Sequence, residues 1–240
     1  IWIGWRLYGS NLNTTIGYDN CGYITSQITG TIQDNSCNFN PATGNLNWRQ
    51  NNKGSNLKES FYYDNLDRLD NIYMGTTMTL DMAYDANKGV ITTKMDAGTM
   101  LYNTSGKPYM VSNINPATSL TPGNAQTITY TSFEKVSIIS ENNYNASFTY
   151  NTDNQRIKMV VLQGSSPVVI RWYPTNSFMK DSITGSAKLY TYIGGDAYSA
   201  PCVAIRQGAL TRYYYLLRDQ LGSIIEISDS TNTKLYEYSY

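Results

Sequence analysis

Glu59-Ser60-Phe61-Tyr62-Tyr63-Asp64-Asn65-Leu66-Asp67-Arg68-Leu69-Asp70-Asn71-Ile72 holds an aromatic run, a polar break and an apolar restart within fourteen residues. Phe61, Tyr62 and Tyr63 suit a pleated, half-buried surface, while Asp64 and Asn65 bond their own backbone two residues on and so reverse the chain. The stretch predicts strand, turn and strand. The same order recurs at Tyr18–Ile24, Phe39–Leu46, Tyr84–Ile91 and Tyr150–Ile157, each reading aromatic, polar turn, and β-branched or long apolar restart.

Aligning the aromatic residue before each turn gives the repeat anchors Tyr18, Phe39, Tyr63, Tyr84 and Tyr150. Tyr102, Tyr130, Tyr173, Tyr192, Tyr215 and Tyr238 continue the series without a following Asp or a clean turn. From Tyr18 to Tyr238 the ten gaps average 22 residues. That period accommodates two strands of about seven residues and two turns, and an isolated hairpin is marginal in water, so each unit needs its neighbours. The expected fold is all-β: tandem hairpins in one continuous sheet of about 22 strands, roughly 100 Å along at about 4.8 Å per strand, and curled by accumulated twist. One array is expected over residues 1–240, loosening between Gly98 and Thr129, where Pro108, Pro116 and Pro122 mark two longer excursions. Lys158–Gln163 and Val168–Tyr173 read as a strong, buried hairpin around Gly164-Ser165-Ser166-Pro167. Ile224, Ile225 and Ile227 favour strand over helix after Asp219.

Composition agrees. Charged residues make only 15% of the 240, polarity comes from 25 Asn and 22 Tyr, and Asn competes with the helical backbone. Eighteen basic and eighteen acidic residues cancel without a run of one sign, which disfavours nucleic acid and anionic membrane as partners. No segment approaches the roughly 18 apolar residues of a membrane helix, and Ile1–Tyr8 lacks the basic start of a signal peptide. Trp2 and Trp5 read as a cap over the first repeat, with sugar stacking as the sharper alternative. Cys21, Cys37 and Cys202 read as free structural thiols; the alternative is a Cys21–Cys37 disulfide across adjacent repeats.

The Tyr-Asp repeat and the stretch Asp219-Gln220-Leu221-Gly222-Ser223 together resemble the YD repeats of the rearrangement-hotspot (RHS) family. Asp219, Leu221, Gly222 and Ser223 match the Asp-His-Leu-Gly-Ser signature of that family's associated core, with Gln220 in place of His, so residues 212–240 read as the start of the core. The resemblance, spanning Tyr18 to Tyr240, implies a spiralling β-sheet shell around a C-terminal toxin or other effector, with insecticidal toxin complexes, polymorphic toxins and teneurins as relatives. It implies a secreted or bacterial cell-surface location, and a chain that is one piece of a longer shell whose own C-terminal core or toxin domain is its partner. Self-cleaving members cut beside Asp-Pro, and no Asp-Pro occurs.

No histidine is present, which removes Ser-His-Asp and Cys-His nucleophiles and histidine metal sites. No Cys-x-x-Cys or phosphate-cradling loop occurs, and Asp34–Asn38 and Asp81–Asn87 lack calcium-loop spacing. Asp64, Asp67, Asp70, Asp81, Asp85 and Asp96 are the candidate carboxylates for glycoside hydrolysis, but their turn positions read first as Asx-turn chemistry. The tyrosine ladder likewise reads as cross-strand packing, with a glycan- or cell-surface-binding face as the alternative. The sequence therefore assigns no catalytic, cofactor-binding or metal-ligating residue and points to a non-enzymatic wall, with self-association through its open sheet edges as a further expectation.

Overall fold

The structure is a computed structural model that describes residues 2–8, 12–54, 56–116, 126–183 and 186–238. Among them there is no helix. The first eleven strands are β1 (Trp2–Tyr8), β2 (Leu12–Tyr18), β3 (Ile24–Thr29), β4 (Gln33–Phe39), β5 (Leu46–Asn51), β6 (Lys58–Tyr63), β7 (Leu69–Met74), β8 (Thr77–Tyr84), β9 (Ile91–Lys94), β10 (Gly98–Leu101) and β11 (Asn113–Pro116). They are followed by β12 (Thr127–Tyr130), β13 (Val136–Glu141), β14 (Tyr144–Tyr150), β15 (Arg156–Gln163), β16 (Ser166–Thr175), β17 (Phe178–Ile183), β18 (Ser186–Ile193), β19 (Cys202–Gln207), β20 (Leu210–Arg218), β21 (Ile224–Asp229) and β22 (Lys234–Glu237).

Every strand pairs with its neighbour in sequence, so the chain is a pure meander of antiparallel hairpins. The strands form two sheets of eleven, β1–β11 and β12–β22, rather than one unbroken run of pairing. Two compact units depart from that division at Leu7–Leu12: they are Ile1–Arg6 with Asn13–Gly123, and Leu7–Leu12 with Asn124–Tyr240. The loosened region supplies the short strand β11 and a turn-rich segment before it, in which Lys107 donates to the Thr104 carbonyl and Met110 to that of Lys107.

Full burial is sparse in both units. In the first, Ile32, Cys37, Leu46 and Met82 are the buried apolar side chains among the described residues, and Leu12 at the start of β2 is buried as well. Beside them lies a buried polar row: Thr14, Thr29 and Gln33 face one another across β2, β3 and β4. The Thr14 and Thr29 hydroxyls share a hydrogen bond of 2.6 Å, and Thr29 donates to the Gln33 side-chain oxygen at 2.8 Å, which satisfies polar groups that would otherwise be costly to bury. In the second unit the core is Ala200, Cys202, Val203, Tyr215, Leu216 and Leu217, and the succession Tyr215-Leu216-Leu217 shows that both faces of β20 are covered there. The β15–β16 hairpin forms around a two-residue turn at Gly164-Ser165, with most of its apolar side chains half-buried rather than fully so. After Asp219 the chain makes a turn and then strand β21.

Candidate functional site

The residues singled out by the sequence converge on one local structure that recurs along the chain. In the five-residue turns 19–23, 64–68, 151–155, 219–223 and 229–233, the Oδ1 of the first residue accepts from the backbone amides of the third and the fifth. The first residue also donates its own amide to the fifth carbonyl at 2.9–3.0 Å, and the fourth amide returns to the first carbonyl. In turn 131–135 the Thr131 hydroxyl accepts from Lys135 in the same way. A sixth residue is admitted at 40–45 and 85–90, where Asn40 and Asp85 bond to Asn45 and Val90.

Two backbone features complete the unit. The fourth residue of each five-residue turn has positive φ: Gly22, Asp67, Glu134, Asn154, Gly222 and Asn232, between 58° and 90°. Gly44 and Gly89 do so in the longer turns. Immediately before each of the eight turns the register slips by one residue, the signature of a type I turn closed by a left-handed residue and a bulge. Asp219, Leu221, Gly222 and Ser223 are one copy of this unit. Asp219 is its acceptor, Gly222 its left-handed residue (φ 90°), Ser223 its closing residue, and Leu221 its tip, 73% exposed.

The anchors divide by position. Tyr18, Phe39, Tyr63, Tyr84, Tyr130 and Tyr150 end β2, β4, β6, β8, β12 and β14 opposite the bulge, whose extra residue lies on the strand after the turn, and Tyr102 follows β10 directly. The hydroxyls of Tyr63, Tyr84, Tyr102 and Tyr150 donate to the carbonyls of Leu46, Leu69, Ile91 and Val136, each the first residue of the preceding strand, at 2.6–3.0 Å. Burial raises the Tyr63 and Tyr84 phenols above their ordinary range, so these groups stay protonated donors. Tyr173 lies inside β16 ahead of Pro174, Tyr192 is the penultimate residue of β18, Tyr215 lies within β20, and Tyr238 follows β22. In the last two turns Arg218 and Ser228 occupy the position opposite the bulge; a search for aromatics passes over both.

Successive repeats are stapled at the same place. The fifth turn residue packs on the next anchor: Tyr23 stacks on Phe39 with centroids 5.2 Å apart, and the Arg68 guanidinium sits 4.2 Å from the Tyr84 ring centre. Arg68 also donates to Asp64 Oδ2 at 2.7 Å and, with the Leu66 and Arg68 amides, holds the Asp64 carboxyl below the usual range. Asn45 reaches across to Asp67 Oδ1 at 2.8 Å.

The candidate hydrolytic carboxylates are thus absorbed into structure or scattered. Asp64 and Asp85 are turn acceptors, Asp67 takes Asn45, Asp70 takes Asn71, Asp96 pairs with Lys94, and Asp81 is exposed on β8, where its backbone carbonyl, not its carboxylate, accepts from Met95. Cys21, Cys37 and Cys202 are not joined in disulfides: Cys21 is exposed, Cys37 donates to the Ile24 carbonyl, and burial raises the Cys202 thiol. Trp2 and Trp5 lie in β1, and their side chains fall outside the described residues. In the second unit Arg171 pairs with the buried Asp181 at 2.7 Å beside Tyr173 and Tyr190.

No protein-family model matches the chain, and no curated protein matches it. Among solved structures, chains of the TcdB2-TccC3 crystal structures with Cdc42 and without the hypervariable C-terminal region match 99% of this chain, at TM-scores of 0.54 and 0.58 and 10% identity. A chain of the Photorhabdus luminescens Tc holotoxin pore matches 98% at a TM-score of 0.54 and 11% identity. The fold is that of these toxin chains. It agrees with the all-β array of hairpins expected from the sequence, and this chain spans 16% of the length of each of them. No helix among the described residues is long and apolar enough to cross a membrane.

Three outcomes follow for the turn unit. Asp219→Ala should lower stability by about 1–3 kcal/mol, because the Leu221 and Ser223 amides lose their acceptor, whereas Asp219→Asn should cost a fraction of that, as Asn151 performs the same task. Urea unfolding distinguishes them, and equal losses would sink the shared-acceptor account. Glu134→Gly should raise stability by about 0.5–1 kcal/mol by relieving a left-handed L-residue, seen as a higher unfolding midpoint. Turn bonds hold the Asp64, Asp85, Asp196 and Asp229 carboxyls below their ordinary range. Because these folded-state values are lowered, their stabilisation is present above about pH 4, the unfolded value, and is lost as pH falls through the folded ones. An acid titration followed by circular dichroism should be shallower in the fourfold Asp→Asn variant.

Proposed function

We propose that this chain is a non-catalytic segment of an RHS-type β-repeat shell that encloses or presents a C-terminal toxin or effector outside the cytoplasm or in a secretion pathway. One observation carries the reading: variants of one hydrogen-bonded turn close eight hairpins distributed along the chain, so that many of its Asp, Asn and Tyr, residues that chemistry would draw on, are engaged in holding strands together. The fold shared with Tc toxin chains over nearly all of this chain supports it.

Exposed aromatics favour a second reading, adhesion to glycans or a cell surface. Tyr62, Tyr144, Trp172 and Tyr213 are each 40% or more exposed, and apolar rings with a polar edge are enriched at binding surfaces.

The test uses the full-length natural protein that contains this chain. Small-angle scattering should give the form factor of a hollow particle, and limited proteolysis should spare an internal segment until the array is opened by denaturant. A compact, solid particle whose C-terminal segment is cut at the rate of an exposed tail would overturn the shell reading.

A further inference from the structure

The net charge of zero conceals a local imbalance. Strands β15–β20 carry eight Lys and Arg against a single carboxylate, Asp181. The register shows where they go. Thr149, Lys158, Trp172, Lys180, Leu189, Arg206 and Thr211 are direct partners in turn across β14 to β20, and residues opposite one another in an antiparallel ladder share a face.

Lys158, Lys180 and Arg206 therefore stand on alternate strands of one face, about 10 Å apart at two strand spacings. Asp181 alternates to the opposite face, where it is buried against Arg171, so none of these six strands places a carboxylate on the face of the row. Lys180 and Arg206 are exposed, and none of the three cations forms an ion pair among the described residues. Two exposed aromatics share the face, on which Phe178 is half-buried and Tyr215 buried. Trp172 is 40% exposed with the Lys158 ammonium 4.4 Å from its ring centre, and Tyr213, 47% exposed, is the diagonal neighbour of Arg206. Exposed Thr149, Thr191 and Thr211 supply hydroxyls between them.

From this arrangement we infer that the β15–β20 face is a binding surface for an acidic polysaccharide. Its cations meet regularly spaced carboxylates, its threonines meet sugar hydroxyls, and Trp172 and Tyr213 lie against apolar ring faces. A single-stranded nucleic acid fits poorly, because successive bases need adjacent exposed stacking platforms, the two exposed rings are four strands, about 19 Å, apart, and Phe178 between them is half-buried. An extended acidic peptide repeats its same-face side chains every ~6.8 Å, out of step with cations about 10 Å apart. The inference deepens the adhesion reading and rests on it, but does not depend on whether the array encloses a cargo.

The test measures binding of the whole chain to polygalacturonate by calorimetry or biolayer interferometry at low ionic strength, beside neutral dextran, polyglutamate and an oligo-dT strand. Polygalacturonate should bind best, and added salt should weaken it as the charges are screened. Exposed ion pairs each contribute only a few-fold, so Lys180→Gln should weaken binding by a few-fold and the triple variant Lys158→Gln, Lys180→Gln, Arg206→Gln by about tenfold or more. Trp172→Ala should weaken binding with the charge unchanged. Lys180, Arg206 and Trp172 are exposed and Lys158 half-buried, so the fold is expected to stay intact, which an unchanged melting curve verifies. Absence of polygalacturonate binding, full binding by the triple variant, or equal binding of polyglutamate and oligo-dT with Trp172→Ala neutral would each overturn the inference. Dextran binding without polygalacturonate binding would also overturn it while leaving adhesion standing.

Discussion

One side-chain oxygen accepting two backbone amides is the interaction on which this chain depends. At each reversal between strands of a hairpin the backbone must expose amides that the ladder no longer satisfies, and an unsatisfied polar group is expensive wherever water is excluded. Asp19, Asp64, Asn151, Asp219 and Asp229 meet that demand with the same atom, Oδ1, and the same two donors. The bond is local, so it forms within five residues and does not await the rest of the sheet. The left-handed fourth residue and the bulge follow from it geometrically, since the chain must cross over and re-enter the pleat one residue out of step.

How far this could be read from sequence depends on how local each part is. Asx chemistry acts over two to four residues, so the turn acceptors and their period are visible in the letters, as is the all-β meander. The left-handed position announces itself where it is Gly22 or Gly222 but not where it is Asp67, Glu134 or Asn154, which occupy the same backbone region without the residue type that advertises it. The position opposite the bulge is legible as Tyr or Phe in six repeats and hidden as Arg218 and Ser228 in the last two, where no ring marks it. The tyrosine hydroxyl bonds span 11–17 residues and need the register that only pairing supplies. The same is true of Lys158, Lys180 and Arg206, which are far apart in sequence and become a row only when the strands between them align.

The side chains thereby separate into two populations. Carboxylates and amides gather at the turns, where their pairing is internal, and the Asp64, Asp85, Asp196 and Asp229 carboxyls are held below their ordinary range, so acid weakens the contacts those four make. The cations of β15–β20 stand on strands, where Arg171 serves structure through Asp181 while Lys180 and Arg206 face solvent; Arg68, which closes its turn, packs on Tyr84. A formally neutral chain can therefore present one positively charged face without a run of basic residues in its sequence.

An array closed by local turns also distributes stability by nearest neighbours, as repeat proteins do. Tyr23 on Phe39 and Arg68 on Tyr84 tie each turn to the next hairpin only, and the tyrosine hydroxyls tie each strand to the one before it. A substitution on a solvent-facing strand position then perturbs its own hairpin and its two neighbours, leaving distant turns closed. Since the fold is secured at the turns and along the ladder, the exposed faces are released from a structural role, and their chemistry is free to differ from one stretch of the array to another. The contrast between the paired carboxylates of the turns and the cation row of β15–β20 is what that division of labour produces.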